Sequence, residues 1–261
     1  MKIKNLIIAL LTLISAAAEA QSFNDFFTDK TLRVNFILGG NANSQNIYIS
    51  NMNSIDGWYG RKNHLAEFPV EGNTQFELKD KKTGKVIYRN SLSTLFQEWQ
   101  TYPEAKTSNR SFENVILMPM PKDTATLTIS LISNRRQIAG SITETISPTD
   151  ILIRKTGEEP APYEVLNNAA DQEKCIHIAF LAEGYTDKEM DKFINDARIA
   201  TDAIFAHEPF KKYQDRFQVI AVKSASEDSG TSVPSKGIWK KTALGSNFDT
   251  FYSERYLTTL N

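Results

Sequence analysis

The chain has 261 residues, of which 30 are lysine or arginine and 31 are aspartate or glutamate, giving a formal net charge of −1. This balance excludes the basic excess typical of nucleic-acid-binding proteins and the acidic excess typical of disordered tails. Hydrophobic residues make up 41% of the chain, which indicates a folded globular protein long enough for one or two domains.

The first twenty residues have the layout of a secretory signal peptide. Lys2 and Lys4 give a positively charged start, and an apolar stretch follows over residues 6–14. Ala18-Glu19-Ala20 then matches the A-x-A cleavage pattern. The apolar stretch is too short to span a bilayer comfortably, so an uncleaved anchor is the less favoured alternative. We predict cleavage after Ala20, export to the periplasm, cell surface or medium, and no membrane span.

Between about residues 32 and 154, apolar residues recur at every second position, which is typical of strands with one buried face. Residues 80–84 carry a turn signal between two such runs and predict a β-hairpin. Residues 92–100 instead have helical spacing and predict a short helix packed on one sheet. We therefore predict an antiparallel β-sandwich over residues 22–155. Its strands are expected near 32–38, 45–50, 76–78, 86–88, 114–118, 126–131 and 137–142.

The pattern changes after the sandwich. Residues 156–170 include Gly157, Pro160 and Pro162 and predict a linker. Residues 171–261 then predict a strand at 176–181, a helix from about 190 to 205, and a second strand at 217–222. Thr186 and Glu189 fit a capping box at the start of the helix.

This strand–helix–strand order predicts a parallel βαβ unit. The predicted fold class is therefore α+β, with a β-sandwich followed by the opening part of an α/β domain. A sheet of two parallel strands cannot cover both of its faces, so we expect the second domain to be incomplete. The polar stretch from residue 224 to 247 is longer than an ordinary connection and is either functional or poorly ordered.

Nucleophilic and metal-ligating residues are few. Cys175 has no partner for a disulfide within the chain. His177 would lie on the same side of a strand as a possible base, but a small cysteine buried in a core strand is the favoured interpretation. The three histidines, His64, His177 and His207, have none of the spacings of a metal-binding motif. We predict no catalytic, cofactor-binding or metal-binding residue in this chain.

Two surface features allow other interpretations. Trp58 and Tyr59, within the sequence of residues 56–60, could stack on a sugar or a peptide, although a loop packed over the core is favoured. They support an alternative function as a stand-alone exported sandwich module that binds protein or glycan. Glu227, Asp228 and Ser229 cluster oxygen ligands for calcium, but lack the spacing of a known loop, so a solvated surface is favoured.

Several ordered blocks mark the second half of the chain. They are residues 180–186 with 189–190 and 193, then 208–213, 229–234, 239–245 and 250–259. Together they resemble the IgA-peptidase-type family of secreted zinc metallopeptidases. The similarity is dense from about residue 176 to the end and looser over the sandwich. The resemblance implies a zinc endopeptidase that acts on extracellular proteins. In such enzymes an HExxH helix supplies two histidine ligands and a glutamate base, because residues i and i+4 share a helix face.

This sequence contains no HExxH segment, and in the family that helix lies downstream of the last similar block. The resemblance therefore implies a truncated peptidase that is inactive as given and binds no zinc tightly. Glu183 and Glu208 lie in similar blocks without a catalytic role. Glu183 is instead expected to stabilise the start of the following helix.

Overall fold

The computed structural model describes residues 22–157, 160–249 and 257–259. The predicted signal peptide lies outside these residues. The chain divides into two compact units, unit 1 (Met1–Glu158) and unit 2 (Glu159–Asn261). The described residues are mostly β, in several sheets. They include no helix with the length and apolar character that crossing a membrane requires.

The first sheet of unit 1 is built around β1 (Phe27–Asn41). This strand pairs antiparallel with β2 (Ser44–Asp56) on one side and with β5 (Arg110–Pro121) on the other. A two-residue strand, β8 (Arg154–Lys155), then pairs in parallel with the outer side of β2. The long strands are antiparallel, as predicted. A strand of two residues has no periodicity, so no sequence pattern predicts β8.

The second sheet of unit 1 contains four antiparallel strands. They are β3 (Thr74–Asp80), β4 (Val86–Leu92), β6 (Ala125–Ile132) and β7 (Ile138–Ile146), in the order β4-β3-β6-β7. The predicted hairpin between β3 and β4 is confirmed. The Asp80 carboxylate closes its turn by accepting the backbone N–H of Thr83 at 2.7 Å.

The core of unit 1 follows from the alternation along its strands. Leu32, Val34, Phe36 and Leu38 of β1 are fully buried, and so are Ala125, Leu127, Ile129 and Leu131 of β6. Burying a side chain of this size contributes about 1.5–3 kcal/mol. Two short helices complete the unit, α1 (Phe23–Phe26) and α2 (Leu95–Trp99), and the second confirms the predicted short helix. A 3₁₀ turn at Pro103–Lys106 follows α2.

Unit 2 contains β9 (Tyr163–Asn167), β10 (Ile176–Leu181), α3 (Met190–Phe205) and β11 (Phe217–Val222). β10 and β11 pair in parallel through α3, as the sequence pattern predicts. β9 adds a third, antiparallel strand beside β11. Short 3₁₀ helices lie at Asp187–Glu189, Phe210–Arg216 and Pro234–Lys236.

The stretch treated as a linker in the sequence, residues 156–170, therefore contains a strand. β9 begins directly after Pro162, and Asn167 ends it by donating from its side chain to the Phe217 carbonyl at 2.8 Å. A strand of five residues between prolines and asparagines is too short for an alternation of apolar and polar residues to be recognised in the sequence. The sheet of unit 2 consequently has three described strands rather than two.

β10 is more exposed than its continuous apolar sequence predicts. Ile176 is 55% and Leu181 is 47% exposed. This strand lies at the edge of the sheet, and the buried side chains of α3 pack on one sheet face. The prediction of a buried Cys175 is also wrong, because this residue lies just before the edge strand and is only half-buried.

Trp99 offers a test of the core of unit 1. Its ring is fully buried against Phe96 and Phe112, with ring centroids 5.8 and 5.5 Å away. We expect Trp99→Ala to lower the free energy of unfolding by about 3–5 kcal/mol, because it removes these contacts and leaves a cavity. Urea denaturation of the full chain, followed by circular dichroism, measures the change. Trp239→Ala, at a position 71% exposed, is the control and should change the stability by less than about 0.5 kcal/mol. Equal effects would contradict the assignment.

Candidate functional site

The candidate functional site lies at the carboxyl ends of the parallel strands β10 and β11. Residues 182–189 follow β10 and residues 223–249 follow β11; we term these segments together the strand-end loops. In α/β sheets, ligands bind in the crevice outside the carboxyl ends of the strands. The backbone N–H of Ala182 donates to the carbonyl of Val222 at 3.1 Å, so the two segments leave the sheet side by side.

Glu183 fixes the longer of the two loops. Its carboxylate oxygens accept the backbone N–H groups of Leu244, at 2.8 Å, and Ser246, at 3.0 Å. Burial disfavours the charged form of this carboxyl, but hydrogen bonds from Ser246, Thr242 and Leu244 outweigh it and lower the pKa below its usual value. A charged carboxylate therefore holds residues 242–246 in place.

Ser226 joins the two loops from a buried position. Its hydroxyl oxygen accepts the backbone N–H groups of Gly184 and Ala243, each at 3.0 Å. Gly184 has a φ of 75°, and a Cβ atom there would lie 2.6 Å from the carbonyl oxygen of Gly230. Glycine is therefore needed at this position, both for the left-handed backbone and for the close approach of the loops.

The capping box predicted at Thr186 and Glu189 is confirmed. The Glu189 carboxylate accepts the Thr186 backbone N–H at 2.9 Å and its hydroxyl at 2.8 Å, and also the Ser229 hydroxyl at 2.9 Å. The backbone bond from Thr186, then the two hydroxyl bonds, lower the pKa of this carboxyl. Glu189 thus holds the start of the helix. The role expected for Glu183 is wrong, because its carboxylate binds the distant loop instead.

Glu227, Asp228 and Ser229 do not converge on one point. The Asp228 carboxylate accepts the backbone N–H of Lys241 at 2.8 Å. Glu227 pairs with the ammonium of the same lysine at 3.3 Å, and Ser229 turns toward Glu189. Each side chain thus has its own partner, an arrangement that fits loop ordering rather than the calcium site considered from the sequence.

The tip of the longer loop presents two exposed apolar side chains. Ile238 and Trp239 are exposed, while the backbone around them is fixed. Val233 and Ile238 form an isolated bridge. The hydroxyl of Ser232 accepts the backbone N–H of Lys240 at 2.9 Å. An aromatic side chain on an ordered loop is suited to contact with another molecule at low entropic cost.

Two family models match the chain in order along the sequence. Peptidase M64 N-terminus matches residues 22–143, within unit 1, and IgA Peptidase M64 matches residues 165–261, within unit 2. The chain belongs to the M64 peptidase family. The resemblance seen in the sequence is thereby confirmed. A search of curated proteins finds no match to the chain.

The M64 family suggests a zinc peptidase, but the residues described here do not fit a zinc site. A zinc site requires three or four ligands around one point. His64 lies 3.2 Å from Glu67, and His177 lies 3.5 Å from the sulfur of Cys175. His207 follows the end of α3. Within residues 22–157, 160–249 and 257–259, no three such side chains come together. We assign no catalytic step to these histidines.

The aromatic pair considered for stacking belongs to unit 1 of this M64 chain. Trp58 is buried, with its indole N–H donating to the Arg61 carbonyl at 3.1 Å and its ring edge-on to Tyr88. The interpretation as a packed loop is therefore confirmed for Trp58. Tyr59 is 78% exposed, so it alone of the pair faces solvent.

Glu183→Gln tests the anchoring of the longer loop. The carbonyl oxygen of the glutamine side chain can accept a hydrogen bond from one of the two N–H groups. Its NH₂ group would face the second N–H group, and two donors cannot form a hydrogen bond. Losing a hydrogen bond to a charged group costs about 1.5–3 kcal/mol, so amide exchange at Leu244 and Ser246 should accelerate about 10–100-fold. Hydrogen exchange followed by mass spectrometry or NMR measures this effect.

The matched control for this measurement is Glu227→Gln, which alters an exposed ion pair and should leave both amides unchanged. The pKa of Glu183 lies below its usual value of 4.5 in the folded chain. Its contribution to stability is therefore complete above that pH and is lost as the pH falls through the folded value. Unchanged exchange in Glu183→Gln at neutral pH would show that the carboxylate does not hold the loop.

Proposed function

We propose that the chain is an exported M64 protein that resembles a zinc metalloendopeptidase acting on extracellular proteins. Its residues 22–143 correspond to the N-terminal domain of the family, and its residues 165–261 correspond to the peptidase domain. The observation that carries this proposal is the order of the two family matches, each within one compact unit. A peptidase family implies polypeptide partners, and the strand-end loops offer an ordered surface with an exposed tryptophan for such a partner.

We infer that the two sheets of unit 1 form a β-sandwich. Each sheet buries alternate side chains of its strands. Phe27, on the first sheet, lies edge-on to Tyr88, on the second, with ring centroids 6.3 Å apart. Residues 156–162 would then connect this sandwich to the peptidase part, which begins with β9. The alternative function is a stand-alone module that binds ligands by stacking at residues 56–60. It is not favoured, because Trp58 is buried and is not available for stacking.

The strand-end loops are proposed to position a polypeptide rather than to cleave it. Two of their carboxylates are committed to backbone and hydroxyl donors: Glu183 to Leu244 and Ser246, and Glu189 to Thr186 and Ser229. A carboxylate with a lowered pKa that is engaged in this way is a poor general base at neutral pH. The sequence given contains no HExxH segment to supply zinc ligands.

The first test is chemical analysis of the purified 261-residue chain. We expect substoichiometric zinc after dialysis and no cleavage of unfolded casein above the buffer rate, because the three histidines do not share a site. Zinc added in excess should not produce activity. Stoichiometric zinc together with proteolysis that a chelator abolishes would show that the active site has been misplaced.

The second test addresses export. We expect the mature chain to begin at Gln21, because a charged start, an apolar stretch and the A-x-A pattern precede it. N-terminal sequencing of protein from the periplasm or medium identifies the first residue. Ala18→Asp and Ala20→Asp together should block cleavage while leaving the apolar stretch intact. A cytoplasmic product that begins at Met1 would contradict export.

A further inference from the structure

A cavity of about 650 Å³ opens at the side of unit 1, between strands of its two sheets. Residues 49–53 of β2 form one wall, and Glu144 and Thr145 of β7 form the other. Leu152, from the turn before β8, lies at its rim and is largely exposed. We term this cavity the side cleft. Its volume is within the range of about 300–1,000 Å³ typical of ligand sites.

Both walls of the side cleft are strand edges. β7 is the last strand of the second sheet. β2 pairs along its length with β1, but on its other side it pairs with β8 only at Asn53 and Ser54. Residues 49–52 therefore present a row of backbone N–H and C=O groups without a strand partner in the part of the chain described here. Such rows bind extended polypeptides by adding a strand.

The two edges are close at one end and separate at the other. A Cβ atom on Gly140 of β7 would lie only 3.6 Å from the carbonyl oxygen of Gln45 on β2. Further along the same two strands, residues 49–53 and 144–145 stand apart and enclose the side cleft. β2 and β7 therefore lie close together near residues 45 and 140. The side cleft opens further along, where the two strands separate.

One charged side chain lies on the core-facing side of an edge strand. Glu144 pairs across the ladder with Leu127, which is fully buried, and cross-strand partners point to the same face of a sheet. Among the described residues, Glu144 has no ion pair and no hydrogen bond to its carboxylate. A carboxylate in this position is available to a cationic group that enters the cleft.

The opposite wall is apolar on its core-facing side. Ile49 and Met52 of β2 pair across the ladder with Phe36 and Val34, both fully buried. Their side chains therefore point to the same side of the first sheet as the core. The lining also carries Asp150 and Arg154, so its three charged side chains sum to a net negative charge. The side cleft thus combines two strand edges, an apolar wall and a net negative lining. Rows of backbone groups at strand spacing suit a polypeptide rather than a sugar.

We propose that the side cleft binds an extended polypeptide segment in which a lysine or arginine lies two residues from an aliphatic residue. Side chains two apart in a strand point to the same face. The basic side chain pairs with Glu144 while the aliphatic one packs on Ile49 and Met52, and the segment's backbone pairs with β2 or β7. This site belongs to unit 1, whereas the strand-end loops belong to unit 2, and its occupation requires no peptidase activity.

Fluorescence anisotropy with the full chain tests the proposal. The probe is a fluorescein-labelled peptide in which valine and lysine alternate with threonine. We expect saturable binding, and loss of binding when prolines replace the threonines, because proline cannot donate to a strand edge. Replacing the lysine with norleucine should weaken binding about tenfold, the effect of a charge pair worth about 1.4 kcal/mol.

Glu144→Gln should weaken binding of the lysine peptide by the same factor and leave the norleucine peptide unaffected, since both changes remove one interaction. Glu113→Gln makes the same change in charge at an exposed position on β5 and serves as the matched control. Far-UV circular dichroism and the urea midpoint confirm that each variant is folded. Failure of this test leaves the proposed M64 function standing, because cleavage and export are measured separately.

Two outcomes would overturn the proposal. One is the absence of saturable binding, or equal binding of both peptides to the native chain and to Glu144→Gln. The other outcome would give Glu144 a different role, because inward-pointing charges on edge strands prevent edge-to-edge association. If the native chain binds no peptide while Glu144→Gln dimerises in sedimentation, Glu144 protects a strand edge and the side cleft is not a binding site.

Discussion

Along β1, Leu32, Val34, Phe36 and Leu38 are fully buried while the residues between them face the other side of the sheet. This one-sided burial is the constraint on which unit 1 depends, because it fixes the register of β2 and β5 against the central strand. A slip of one residue would move all four side chains out of the core. The constraint acts within each sheet and sets no pairing between β2 and β7, and the side cleft lies between these two strands.

The strand-end loops of unit 2 are stabilised by hydrogen bonds rather than by the apolar burial that stabilises unit 1. The strand-end loops bury few large side chains, and their order comes from side chains that accept backbone N–H groups. Glu183 and Ser226 each satisfy two such donors, and Ser232 and Asp228 satisfy others. Because each donor would otherwise need water, removing one acceptor leaves a polar group unsatisfied in a partly buried loop. A long loop of polar composition is thereby kept in one conformation.

The sequence predicted the elements that carry a recognisable local signal. The long strands of unit 1 and the strand–helix–strand unit of β10, α3 and β11 have periodicity over many residues. α2 has large apolar residues at helical spacing, and the capping box has a threonine and a glutamate three residues apart. β8 and β9 are too short to show one, and the exposure of β10 depends on its place in the sheet rather than on its own residues. The partner of Glu183 lies about sixty residues away. No local pattern distinguishes a glutamate that caps the next helix from one that binds a distant loop, nor marks Ser226 among the other serines of its loop.

The strand order of unit 2, β10-β11-β9, puts the last strand in the sequence at the centre of the sheet. Among the strands described in unit 2, β9 and β10 have no ladder with each other, and each pairs with β11. While the chain is being synthesised, the strands within residues 163–181 therefore have no strand partner until residues 217–222 have emerged. Pairings of such sequence separation form slowly. Unit 1, whose central hairpin of β1 and β2 is joined by a two-residue turn, has no such delay at its start. The topology thus imposes an order of maturation in which unit 2 becomes protected from aggregation and from proteases later than unit 1.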